Sequence, residues 1–300
     1  ALELGVYNHI SGDGREYVIT DSSAVKIRAE DGRNIQQVDI SMFINNLPNG
    51  KDTIHFCTED ASGSTSQAAN VIEAMETETK LMFMDEDTSA TNFMIRDELM
   101  QRVVHRDSEP ITPFIDRVQE LFEEYHISTI LVAGSSGSYF HKADYILQMN
   151  HYLPEDITSL AKKEAEAFPL PRETVNKSIP PSFQRKIKPD DAFKKNDRIK
   201  LKTQGKDSVL INHDMIDLRY VEQLADSEQL MSLGYLMKYA RLHLVDGTRT
   251  LTEIVNELCK LLKAKGLSAV CEENYMPNNL AMPRKQEIFA CFNRYRTLKM

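Results

Sequence analysis

Ala61-Ser62-Gly63-Ser64-Thr65-Ser66-Gln67-Ala68-Ala69-Asn70-Val71-Ile72-Glu73-Ala74-Met75-Glu76-Thr77-Glu78-Thr79-Lys80-Leu81-Met82-Phe83-Met84-Asp85-Glu86-Asp87-Thr88-Ser89-Ala90-Thr91-Asn92 is the stretch that decides the fold. Its apolar run, Lys80 to Met84, is short and stops at acids, which suits a buried strand. Carboxylates at the C-terminal edge of a parallel sheet face the crevice where such folds bind ligands. Neighbouring residues of a strand point to opposite sides, so Asp85 and Glu86 should have different tasks. In a nucleotide hydrolase the Asp orients Mg²⁺ and the Glu polarises the attacking water. Ahead of the strand, Gln67 to Glu76 reads as a helix with Val71, Ile72 and Met75 on one face. It opens on Ser62-Gly63-Ser64-Thr65-Ser66, a start whose free N–H groups at the positive end of the dipole favour a phosphate. Taken singly, each piece has a plainer reading, a solvated turn for the acids and an ordinary N-cap for the serines.

In combination these residues resemble the nucleotide-binding domain of the ABC ATPases. Ala61-Ser62-Gly63-Ser64-Thr65 stands where that family has its signature, Asp85-Glu86 where it has the Walker B pair, and Thr88-Ser89-Ala90-Thr91-Asn92 where it has the D-loop. The 23-residue separation of Ser62 from Asp85 fits without a gap. D-E-D-T-S-A-T-N-F-M-I-R-D is similar to one branch, the predicted ATPases of the ABC class. The resemblance implies an α/β fold: an ABC/RecA-like P-loop NTPase core, followed by a mainly helical C-terminal domain. It implies ATP and Mg²⁺ as ligands, with Asp85 in the metal shell and Glu86 acting on water. Ser62, Gly63 and Ser64 would meet nucleotide held by a second copy in a homodimer, and Asn92 would relay between the two sites. Gln37 falls near the family's Q-loop glutamine. Ser135 falls where many relatives have a switch histidine, and a serine cannot carry a histidine's charge.

The family's phosphate loop, G-x-x-x-x-G-K-[ST], is missing from the sequence. Both Gly-Lys pairs, Gly50-Lys51 and Gly205-Lys206, are followed by Asp. That loop's amides and lysine hold the β- and γ-phosphates. The expectation is therefore an N-terminally truncated piece, beginning just past the Walker A segment and incompetent for hydrolysis alone.

Composition narrows the classes further. A chain of 300 residues with 41% hydrophobic content is long enough for two cores. Its apolar runs are far short of the ~20 residues that span a bilayer, so no membrane role is expected. Cys57, Cys259, Cys271 and Cys291 are scattered, with neither a C-x-x-C pair nor neighbouring histidines. A zinc site or disulfide frame is not indicated, and a reducing cytoplasm is the expected setting.

Charge divides the chain. Residues 1–171 carry a net −16, residues 172–206 a net +7, and residues 207–300 none. The expected domains are 1–168 for the partial ATPase, 169–206 for a basic, proline-containing linker or arm, and 207–300 for the helical part. For the arm two readings stand. One is a solvated linker; the other is a polyanion contact in which Arg185, Lys186 and Lys188 neutralise nucleic-acid phosphates. With only Phe183 and Phe193 nearby, base stacking has little support.

Elsewhere, Val25 to Arg28 and Asn34 to Ile40 flank an Asp31-Gly32 turn and read as an antiparallel hairpin. Thr112-Pro113 opens a helix carrying Ile115, Val118, Leu121, Phe122 and Tyr125. Ile127 to Ala133 reads as a buried strand. From Asp214 onward apolar stripes suggest helices throughout, the clearest opening on the capping box Thr250-Leu251-Thr252-Glu253 and ending at Gly266.

Overall fold

β1 (Val25–Ile27) leads into a loop that reaches β2 (Ile35–Val38), which pairs antiparallel with β3 (Phe56–Thr58). The Gly63–Glu76 helix follows, then β4 (Leu81–Asp85), the Phe114–Tyr125 helix and β5 (Ser128–Val132). β1, β4 and β5 form one parallel sheet with β4 in the middle. Val25 lies opposite Met82, and Asp85 lies opposite Val132. The computed structural model describes residues 1–9, 11–15, 17–47, 49–96, 103, 109–168, 177–189, 199–271 and 276–300.

The central position of β4 explains its sequence. A strand flanked on both sides and covered on both faces reads as a continuous apolar run, and Met82, Phe83 and Met84 are all buried. β5 differs from expectation. Among the described residues it is an edge strand, and its Ile130 and Val132 are 41% and 63% exposed. The hairpin expected between Val25–Arg28 and Asn34–Ile40 does not form. Its turn is used otherwise: Gly32, at φ +79°, donates to the Ala61 carbonyl at 2.9 Å and brings the chain against the signature. β1 is thereby free to join the parallel sheet.

The helix expected at Phe114–Tyr125 is present. Beyond β5, an exposed hairpin pairs β6 (Leu147–Asn150) with β7 (Leu153–Asp156), and the Thr158–Ala167 helix follows. The C-terminal part is mixed rather than mainly helical. β8 (Leu201–Gln204), β9 (Ser208–Ile211) and β10 (Asp214–Asp217) form an antiparallel sheet. Against it stand helices Ser227–His243, Leu251–Lys265 and Lys285–Asn293. The sequence carried the signal: Val209 and Ile211 alternate with a less buried Leu210, and Asn212 at φ +58° makes the turn. The capping box at Thr250 is as expected, with Glu253 Oε2 accepting from the Thr250 amide at 2.7 Å.

Two cores result, one around Phe43, Phe93 and Phe114, the other around Leu233, Ile254 and Phe292. Residues 177–189 stitch them together, Phe183 packing on the first and Ile187 lying within the second. Of the rest of the expected arm, 169–176 and 190–198 lie outside the described residues, and 199–206 contributes β8 to the C-terminal sheet.

Polar joints link the two cores as well. Gln223 accepts from the Lys26 amide at 3.0 Å and donates to the Ala24 carbonyl at 3.0 Å. Arg284 donates to the same carbonyl at 3.0 Å. These two side chains thus occupy backbone groups on the outer margin of β1, where a further strand would pair. Arg294 ion-pairs with buried Glu30, which also accepts from Asn70 at 3.0 Å. Burial pushes the Glu30 carboxyl up, but Arg294 and Arg33 outweigh it and hold it below the usual range.

Candidate active site

The acid pair sits where the sequence put it, at the C-terminal end of the middle strand. The acids have different partners. Asp85 Oδ1 accepts from the Asp87 amide at 3.2 Å, within its own turn. Glu86 reaches across to the loop after β5. It accepts from the Gly134 amide at 2.7 Å, the Ser135 amide at 3.1 Å and the Ser135 hydroxyl at 2.5 Å. The Ser135 hydroxyl, its amide and the neighbouring Gly134 and Ser136 amides hold the Glu86 carboxyl below its usual range. Hydrogen bonds to the charged form have that effect. Ser135 therefore meets Glu86 directly, a link the sequence did not specify.

The signature lies at the same sheet edge. Ser62 is an extended N-cap whose hydroxyl accepts from the Thr65 amide at 3.4 Å. It is exposed, whereas Ser64 is buried. Gly63 fits against the loops that follow β1 and β4. A Cβ there would come within 3.3 Å of Asp31 Oδ1 and 3.5 Å of the Ala29 and Ala90 methyls. The loops themselves are joined, since the Ala29 amide donates to the Thr88 carbonyl at 3.0 Å. Ser64 Oγ donates to Asn92 Oδ1 at 2.6 Å, which brings the signature and the D-loop residue together.

The helix is not amphipathic in the expected sense. Ser66, Gln67, Asn70, Glu73 and Glu76 are buried along with Val71, Ile72 and Met75. The first two turns, S-T-S-Q-A-A-N, lack the charged residues that a solvent-facing side would carry, and that was the signal available. Arg33 pairs with Glu73 and Asn70 inside this layer. Ser66 Oγ accepts from the Glu30 amide at 2.8 Å.

Other expected site residues lie elsewhere. Gln37 donates from its backbone and side-chain nitrogens to Cys57 Sγ, both at 3.3 Å. That ties it to the β2–β3 pair rather than to the acids. Arg185 is buried and ion-paired with buried Glu76, and it also donates to the Gln36 carbonyl at 3.3 Å. Its charge is spent inside the protein, which corrects its assignment to a polyanion contact. Lys186 and Lys188 are exposed, and Lys188 Nζ donates to the Met300 carbonyl at 3.0 Å.

Among the described residues no three His, Cys, Asp or Glu side chains cluster as a metal site. One carboxylate such as Asp85 fits Mg²⁺ that arrives with a nucleotide, because Mg²⁺ fills its shell with phosphate oxygens and water. No described helix is long and apolar enough to cross a membrane.

Comparison with known proteins bears on this edge of the sheet. The family model for the ABC ATPase P-loop domain matches residues 1–186. The chain belongs to the ABC ATPase family. Membership implies ATP as ligand, typically with Mg²⁺. The model of the MRB1590 C-terminal domain matches residues 200–300 of this ABC ATPase family member. The uncharacterized protein MJ1628 of Methanocaldococcus jannaschii is 31% identical over 137 residues, which is 45% of this chain and 29% of that protein. The match thus spans less than a third of the relative's length.

Proposed function

We propose that this chain supplies the Walker B, signature and D-loop parts of an ATP-hydrolysing ABC-class enzyme that works as a homodimer. The observation that supports it best is the meeting of a serine-capped helix and an acid pair at the C-terminal edge of one parallel sheet. Asp85 would stand in the Mg²⁺ shell. Glu86, kept ionised by its amide and hydroxyl donors, would orient and polarise the attacking water. Ser62 and Gly63, with free amides at the helix start, would meet the γ-phosphate of ATP bound to the second subunit across a twofold axis. Asn92 would carry the state of one site to the other.

The phosphate-gripping loop is, in this proposal, contributed by a segment outside residues 1–300. The outer margin of β5, which no strand among the described residues pairs with, supports that reading. Apolar Ile130 and Val132 are exposed there, and an edge of this kind invites a further strand. The C-terminal end of such a strand would lie beside Gly134 and Ser135, next to Glu86.

ATP turnover tests the proposal. The full-length protein should hydrolyse ATP and lose that activity in Glu86→Gln, which should also accumulate as an ATP-held dimer. The 300-residue chain alone should turn over little. Full-length turnover indifferent to Glu86→Gln would refute the site. Brisk turnover by the 300-residue chain, abolished by Glu86→Gln, would refute the need for a further segment.

A further inference from the structure

Gln67 lies within the signature helix and is completely buried. A buried amide is tolerated only where both its ends are paired. Here Nε2 donates to Ser89 Oγ at 2.9 Å, and Oε1 accepts from the Ala90 amide at 2.8 Å. The Ala90 amide can only donate, so the orientation of the side chain is fixed. Ser89 in turn donates to the Asp85 carbonyl at 2.8 Å. Three residues earlier on the same helix face, Ser64 holds Asn92. The segment after the acid pair is therefore strapped to the helix at Ser89, Ala90, Asn92 and Met94, with Gln67 making three of the four attachments.

From this arrangement we infer that Gln67 is a positioning residue that makes the metal-binding strand end and the signature face of one subunit move as a single body. The inference rests on the proposed ATPase reading. In that reading Asp85 serves the subunit's own nucleotide, while Ser62 and Gly63 serve the partner's. A rigid strap between the two faces makes each nucleotide's fit depend on the other. Without it, the two ends can adjust independently. Coupling of this kind appears as cooperativity in ATP and as a lowered kcat, with the affinity of the monomer for ATP unchanged.

The test has two arms. The first uses the 300-residue chain without nucleotide and follows amide exchange at Ala90. Gln67→Met, close in volume but without the acceptor, should exchange about tenfold faster there. The second arm uses full-length protein and measures the Hill coefficient for ATP, kcat, and ATP affinity at concentrations that keep it monomeric. Gln67→Met and Ser89→Ala, which cuts the strap from the loop side, should both bring the Hill coefficient toward unity and lower kcat without weakening monomer binding. If Gln67→Met fails to fold, Ser89→Ala carries the decision. Unchanged cooperativity and kcat in the folded variants, beside a cooperative wild type, overturn the inference, even if Ala90 exchange rises. Absence of turnover in the wild type instead sinks the ATPase reading, and the coupling with it.

Discussion

Replacing Arg185 with Met is the sharpest probe of how the two cores are held together. Arg185 and Glu76 have side chains only 4% and 1% exposed, and they form an ion pair. Apart from Arg185, Glu76 accepts from the Thr252 hydroxyl at 3.3 Å. Removing one partner of a buried pair leaves an uncompensated charge and costs about 3–5 kcal/mol. That is a large share of the roughly 5–15 kcal/mol by which domains are stable. At about 2–4 °C per kcal/mol for a protein of this class, the lower figure lowers the unfolding midpoint by roughly 6–12 °C. Thermal unfolding followed by circular dichroism reads this directly. The double variant Arg185→Met, Glu76→Leu should recover most of the loss, because an apolar pair of similar volume replaces a buried ion pair at little cost. Lys186→Ala, at an exposed neighbour, should change stability by no more than about 0.5 kcal/mol. An Arg185→Met midpoint within roughly 1 °C of wild type would refute the reasoning and return Arg185 to the surface role first expected of it.

Two further outcomes follow from local geometry. Ser135→Ala removes the donor that contributes most to depressing the Glu86 carboxyl. Glu86 should then take up its proton at higher pH, so under the proposed function the acid limb of the pH–rate profile for ATP hydrolysis should shift upward, and an unmoved limb would count against the contact. Because the folded value is depressed in the wild type, the contact favours the folded chain at neutral pH and fades as pH falls through that value. Separately, Thr250→Ala breaks the capping box of the Leu251–Lys265 helix and should cost about 1 kcal/mol in a denaturant titration, while leaving ATP turnover by full-length protein intact.

What the sequence disclosed was mostly local. β4 was legible because an apolar run stops at acids, and the Thr250 helix because its cap is written in four consecutive residues. β5 was misjudged because a run such as Ile127 to Ala133 looks alike in a central strand and at an edge; only pairing decides exposure. The β8–β10 sheet was missed because its strands are four residues each; β8 fell inside the expected arm, and of the three only β10 was read as helical. The Asp31-Gly32 turn suggested a hairpin, yet the chain used it to meet Ala61, about thirty residues away along the sequence. At the candidate site, Asp85, Glu86 and Ser62 were recognisable by type and spacing. The contacts of Glu86 with Ser135, and of Gln67 with Ser89, join residues far apart in the chain, and no periodicity records them.

The closure of β1 by Gln223 and Arg284 has a practical corollary for anyone dividing this protein. An excised N-terminal half would carry a raw seam, with the Lys26 amide and Ala24 carbonyl stripped of their plugs and open to strand addition by any passing chain. The natural place to cut, judged by family boundaries, is therefore a poor place to cut in the test tube. Nucleotide studies are better served by keeping the two halves on one polypeptide.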